Sequence, residues 1–110
     1  MSAADSLERI RRLASDFVDE RDWQGYQTPK NLAMAMIVEA AELVEHFQWL
    51  SAEQSEKPDS ETRAGVAEEL ADVLIYLVRI ADELGIDLAA SAFNKLEKNA
   101  RKYKPGSSPR

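Results

Sequence analysis

The chain contains no cysteine, so neither a disulfide nor a thiolate-bound metal is open to it. It has one histidine, His46. A di-iron helical bundle takes a Glu-x-x-His from each of two helices, and the residue three before His46 is Leu43, so that chemistry is set aside. His46 reads instead as a residue at a helix end or a site rim. No apolar run approaches the ~20 residues of a membrane span. The opening MSAADSLERIRR lacks the hydrophobic core of a signal peptide. A cytoplasmic protein with no membrane partner is therefore expected. Positive charge is also in deficit: the formal net charge of −6 argues against a nucleic-acid polymer as ligand. Nor does any segment alternate with the period of two that a half-buried strand requires.

What is present is a globular composition, 45% apolar and 31% charged over 110 residues, which fits one domain at the small end for burying a core alone. Four helices are expected. The first spans residues 5 to about 21, where Leu7, Ile10, Ala14, Phe17 and Val18 repeat at threes and fours behind Asp5 or Ser6 as cap. RDWQGYQ breaks the pattern and reads as a loop. Thr28 then Pro29 is a hydroxyl N-cap followed by a proline at the first helical position, opening a second helix to about Leu50. SAEQSEKPDS reads as a polar connection. Asp59 or Ser60 starts the third helix, Gly85 stops it, and Asp87 caps a fourth that carries Phe93, Leu96, Ala100 and Tyr103. The expected fold is an all-α four-helix bundle over residues 5–103, with 104–110 a disordered tail.

The second and third helices are apolar over more surface than four short helices can hide from one another. Trp23 and Trp49 fall where a partner would cover them. A homo-oligomer, either a dimer or a dimer of dimers, is the natural resolution.

The chemistry is concentrated in two stretches. IVEAAELVEHFQW places Glu39 and Glu42 one turn apart on one helix face, and AEELADVLIYL repeats the spacing with Glu69 and Asp72. Acids inside apolar helices are seldom buried unless paired or bound to a metal. None of the four has a lysine or arginine four residues on. Side by side, the two helices would aim four carboxylates at one point. An all-oxygen set of this kind suits Mg²⁺, or Mn²⁺ in its place, and leaves room for phosphate oxygens and a water. Tyr76 follows Asp72 by one turn, and Trp49 lies seven residues after Glu42. The pair reads either as a wall for stacking a nucleobase or as plain core and interface aromatics. Lys95 to Arg110 holds six basic residues against one acid, Glu97, a segment able to meet an anion.

Together these segments resemble the MazG-like all-α nucleoside triphosphate pyrophosphohydrolases, and within them the dCTP pyrophosphatase branch. The resemblance runs from about Leu7 to Tyr103. It rests on LERIRRLA, ERDW, the entry Pro29-Lys30-Asn31-Leu32, the acidic run from Glu39 to Trp49, EELADVLIYLV from Glu68 to Val78, and Lys95 with Asn99. It implies Mg²⁺ ligands at Glu39, Glu42, Glu69 and Asp72. It also implies base-pocket residues at Trp23, Trp49 and Tyr76, triphosphate contacts near Lys95 and Asn99, and a tight oligomer, commonly a tetramer, with sites shared between subunits.

The chain departs from that pattern twice. Val38 stands where many MazG-like proteins double the first glutamate, so the general base is open among Glu45, Glu68 and a metal-activated water. Ala14 stands where the vertebrate branch has a substrate-associated histidine, which predicts broader base tolerance. The expected activity is Mg²⁺-dependent cleavage of a (d)NTP, dCTP included, to monophosphate and pyrophosphate, in clearing non-standard nucleotides or trimming a pool. Two other readings stand beside it. One is a non-catalytic helical oligomerisation module, and the other is an enzyme of this fold acting on dUTP or a phosphoribosyl-nucleotide.

Overall fold

Helix boundaries follow the capping chemistry almost residue by residue. The computed structural model describes residues 3–108, and they form five helices joined by turns, with no strand among them. Helix α1 spans Ala3–Glu20, beginning ahead of Asp5 and Ser6, so neither is its cap. Asp22 then adopts a positive φ of 55°, and Gln24–Tyr26 make a single 3-10 turn. Helix α2, Pro29–Glu45, opens on Thr28, whose hydroxyl accepts the Asn31 N–H at 3.2 Å. Helix α4, Ser60–Glu83, opens on Asp59, which accepts from the Thr62 N–H at 2.8 Å. It closes at Gly85, whose φ of 64° is the left-handed turn a glycine permits. The Gly85 and Ile86 N–H groups fold back onto the Asp82 and Ala81 carbonyls there. Helix α5, Leu88–Lys102, is capped by Asp87 through the Ala90 N–H at 3.0 Å.

Two expectations are corrected. The second helix does not reach Leu50 but ends at Glu45. The His46, Phe47 and Leu50 N–H groups bond three residues back, to Leu43, Val44 and Phe47, and this tightens the chain into turns. The connection to α4 is also not plain loop, because Ala52–Glu56 form a short helix, α3. Its N-terminus is closed from both sides: Ser51 Oγ accepts the Gln54 N–H, and Gln54 Oε1 accepts the Ser51 N–H. Five helices therefore replace the expected four. In the tail, Lys104 to Ser108 include a turn closed by the Ser107 N–H on the Lys104 carbonyl. The expectation of disorder at Pro109 and Arg110 lies outside the described residues.

Helices α2 and α4 pack along one another, α1 lies against α4, and α5 touches α1. The core this makes is thin. Val18, Leu32, Val78 and Ala81 are its buried apolar residues among those described, and Arg79 is buried with them. Met34, Ile37, Val38 and Val44 of α2, with Leu70, Leu74, Ile75 and Leu77 of α4, remain exposed. The radius of gyration is 16.7 Å, against ~13 Å for a compact chain near this length. No helix among the described residues is long and apolar enough to cross a membrane.

Candidate active site

The packing of α2 on α4 joins the two acidic stretches. One carboxylate oxygen from each of Glu39, Glu69 and Asp72 falls within 4.8 Å of the others. Oε2 of Glu39 and Oε2 of Glu69 are buried and meet no hydrogen-bond donor. None of the ion pairs among the described residues reaches these acids. The contact with the Glu69 carboxyl pushes Glu39 above the ordinary glutamate range, and desolvation adds to it. Glu42 also touches the Glu39 carboxyl and opposes the rise, so it stands beside the trio without joining it. Buried oxygens facing oxygens, with no N–H, O–H or basic side chain to satisfy them, fit a hard divalent cation, whose ligands are of this type. His46 caps the end of α2, and its ring fills the space in which a Cβ on Gly65 would stand 2.5 Å from Cε1.

A cleft of about 550 Å³ runs beside the carboxylates between α1, the 22–28 turn and α4. Asp72 lines it and so links it to the acidic trio. Trp23 and Tyr76 are in its wall with Phe17, Leu13 and Ile75. Trp23 meets Phe17 edge-on at 5.6 Å between ring centres, and the Arg21 guanidinium covers Phe17 at 3.5 Å. Size and lining suit a small organic ligand with one flat aromatic part.

Glu39, Glu69, Asp72, Trp23 and Tyr76 are therefore gathered in one place, with Glu42 adjoining. Trp49, Lys95 and Asn99 are not. Trp49 sits in the turns after α2, 87% exposed and outside the cleft lining, because the helix that would have carried it over Glu42 has already ended. Lys95 and Asn99 lie on α5, away from that lining.

Phe17, Gln27 and Arg79 are among the cleft residues that had no place in the sequence-based site. Arg79 does carry a signal, a base at the end of an apolar run and followed at three and four residues by Asp82 and Glu83. Gln27 carries none, since a polar residue in a turn is ordinary.

The chain matches the model of the MazG-like family over residues 34–108. It is 40% identical to dCTP pyrophosphatase 1 of Bos taurus over 93% of its own length and 62% of that protein's. To dCTP pyrophosphatase 1 of Homo sapiens it is 42% identical, over 89% of its length and 59% of that protein's. It thus spans about three-fifths of these relatives. A pyrophosphatase of known crystal structure from Archaeoglobus fulgidus is 40% identical, covers 90% of this chain and 93% of its own, and superposes with a TM-score of 0.84. The match takes in both acidic stretches, all of α4 and α2 from Met34 on, and this chain belongs to the MazG-like family.

Proposed function

We propose that this protein is a Mg²⁺-dependent nucleoside triphosphate pyrophosphohydrolase that cleaves (d)NTPs, dCTP among them, to monophosphate and pyrophosphate. The observation that carries this reading is the pair of buried, donor-less oxygens on Glu39 and Glu69, next to a cleft of nucleotide size that shares Asp72 with them. A scaffold role alone gives no account of two buried carboxylate oxygens without a donor. The names of the bovine, human and archaeal relatives point to the same bond, a phosphoanhydride.

Glu39, Glu69 and Asp72 would hold the cation, with Glu42 beside them. When bound, Mg²⁺ (or Mn²⁺) neutralises phosphate charge and makes water a stronger nucleophile. The chain's own residues do the rest. Trp23 and Tyr76 flank the cleft and stack the base, which fixes the direction in which the triphosphate extends toward Asp72. The apolar wall of Leu13, Phe17 and Ile75 excludes water from that end.

The exposed apolar faces of α2 and α4 support assembly into a dimer or dimer of dimers. A second copy brings Trp49, Lys95 and Asn99 to the site: an aromatic on the open side of the base, and a cation and amide for the phosphates. The absence of a long apolar helix fits a cytoplasmic address.

The test is to incubate the pure protein with a panel of nucleotides, with and without Mg²⁺, and identify the products. Monophosphate plus pyrophosphate appearing only with the metal is the expected result. No turnover of any nucleotide favours the oligomerisation module, and turnover of dUTP or a phosphoribosyl-nucleotide alone favours the other member of the fold.

A further inference from the structure

The chain has four glycines, and they serve different ends. Gly85 and Gly106 stand in turns at positive φ, and Gly25 stands in the 3-10 turn. A Cβ on any of these three would meet nothing within 4 Å. Gly65 is the exception. It lies inside α4, where glycine weakens a helix and no left-handed turn calls for one. A Cβ there would stand 2.5 Å from Cε1 of His46 and 3.1 Å from both Nδ1 and Nε2. The edge of the imidazole is thus seated against the α4 backbone, in the notch that the absent side chain leaves.

That notch lies on the acidic face. Gly65 is one turn before Glu69, and His46 is seven residues after Glu39, so each shares a helix face with its acid. From the Glu39–Glu69 contact to the His46–Gly65 contact the chain runs forward along α2 and backward along α4. The helices are therefore antiparallel here, and the two contacts are neighbours in one seam. Helical side chains lean toward the N-terminus of their own helix, which tips Glu69 toward Gly65. His46 itself is half-buried at the end of α2, and its N–H bonds back to the Leu43 carbonyl at 3.3 Å.

We propose that the seat of His46 on Gly65 sets the distance between α2 and α4 at the carboxylates and so sizes the site for a small divalent cation, both being positioning residues. This rests on the cation site proposed above. Packed helices approach as closely as the side chains at their contact allow. With only hydrogen at position 65 the ring packs flush. With a methyl there, an ordinary carbon contact of ~3.5–4.0 Å makes the ring, and the helix behind it, back away by about an ångström. That step is large on the scale of ion selectivity. Mg²⁺ demands oxygens at about 2.0–2.1 Å in near-ideal octahedral order, whereas Ca²⁺ accepts about 2.3–2.6 Å and irregular shells.

The experiment measures Mg²⁺ and Ca²⁺ dissociation constants by calorimetry on metal-free protein, with a melting curve for each sample. Wild type, Gly65→Ala and the double variant Gly65→Ala/His46→Ala are compared. Alanine is a better helix former than glycine, so α4 holds in Gly65→Ala. Its affinity for Mg²⁺ relative to Ca²⁺ should fall by about tenfold or more. The double variant removes the ring that the methyl strikes and should regain most of the wild-type preference. A Gly65→Ala protein whose preference stays within about twofold of wild type overturns the inference, because the ring has then swung aside without moving the acids. So does one that loses both ions in step with a lowered melting temperature, since the contact is then merely structural. A double variant that keeps the Gly65→Ala preference overturns the role of His46. Wild-type protein that binds neither ion overturns the inference together with the cation site, and the nucleotide panel tests the hydrolase reading separately.

Discussion

Helix α4 carries two clusters of acids ten residues apart, and they have met opposite fates. Around Asp82 and Glu83 every acid has a cation. Arg79 donates to both, and Arg11 takes the oxygen that Arg79 leaves. Around Glu69 and Asp72, facing Glu39, acids meet only acids, and two buried oxygens have no donor. The first arrangement is complete within the chain and holds α1 to α4. The second finds no donor among the described residues, which is the ground of the proposed cation site. On the proposed reading, acids on this helix that arginines reach hold the fold together, and acids that none reaches form the site.

The largest effect should come from the incomplete cluster. Asp72→Asn and Glu69→Gln should each lower turnover at least about a thousandfold, since charge neutralisation at the phosphates is worth several kcal/mol. Near-normal steady-state rates in both would dissolve the contrast. The complete cluster should answer in stability instead. Asp82→Ala removes a partner from two arginines, one of them buried, and should cost about 3 kcal/mol in denaturant melts. Asp72→Asn relieves repulsion and should leave the metal-free melt level or higher. Equal losses in both would mean that the two clusters do the same work.

Smaller effects sharpen the picture. Trp23→Ala takes away a stacking face worth ~1–3 kcal/mol, so KM should rise roughly five- to a hundredfold with kcat much less changed. The pH response should differ in sign between the two kinds of acid. Glu39 is raised by Glu69, so the folded metal-free protein holds a proton that the unfolded chain has released. Stability from this group is present below the ordinary glutamate range and lost as pH rises through the raised value. Glu8, lowered by its bond to Arg11, contributes stability above the ordinary range that is lost as pH falls. Metal-free melts of Glu39→Gln should therefore lose less stability than wild type as the pH climbs from the ordinary glutamate range. Parallel curves would put Glu39 outside the repulsive cluster.

Much of this was legible in the sequence because the devices are local. Thr28–Pro29, Asp59, Gly85 and Asp87 mark helix ends by side-chain chemistry that acts within three residues, and the structure uses each of them. The acids stood out because apolar helices rarely hold them. The early end of α2 was not legible: Glu45 to Gln48 has no glycine or proline, and the shift to bonds three residues back has no single-residue signature. Ser51 and Gln54 did carry the pattern of a capping box, yet the following polar run with Pro58 reads equally as loop. Gln27 was out of reach as a cleft residue because its bonding partner, Arg79, is fifty-two residues away.

The central claim is that the α2–α4 carboxylates await a divalent ion, and thermal unfolding with rising Mg²⁺ tests it most directly. Wild-type protein and the Asp82→Ala variant should both be stabilised, by about 2.7 kcal/mol once the ion is a hundredfold above its dissociation constant. Asp72→Asn should respond far less. Melting temperatures that Mg²⁺ leaves unmoved in wild type, or moves equally in Asp72→Asn, would contradict the account.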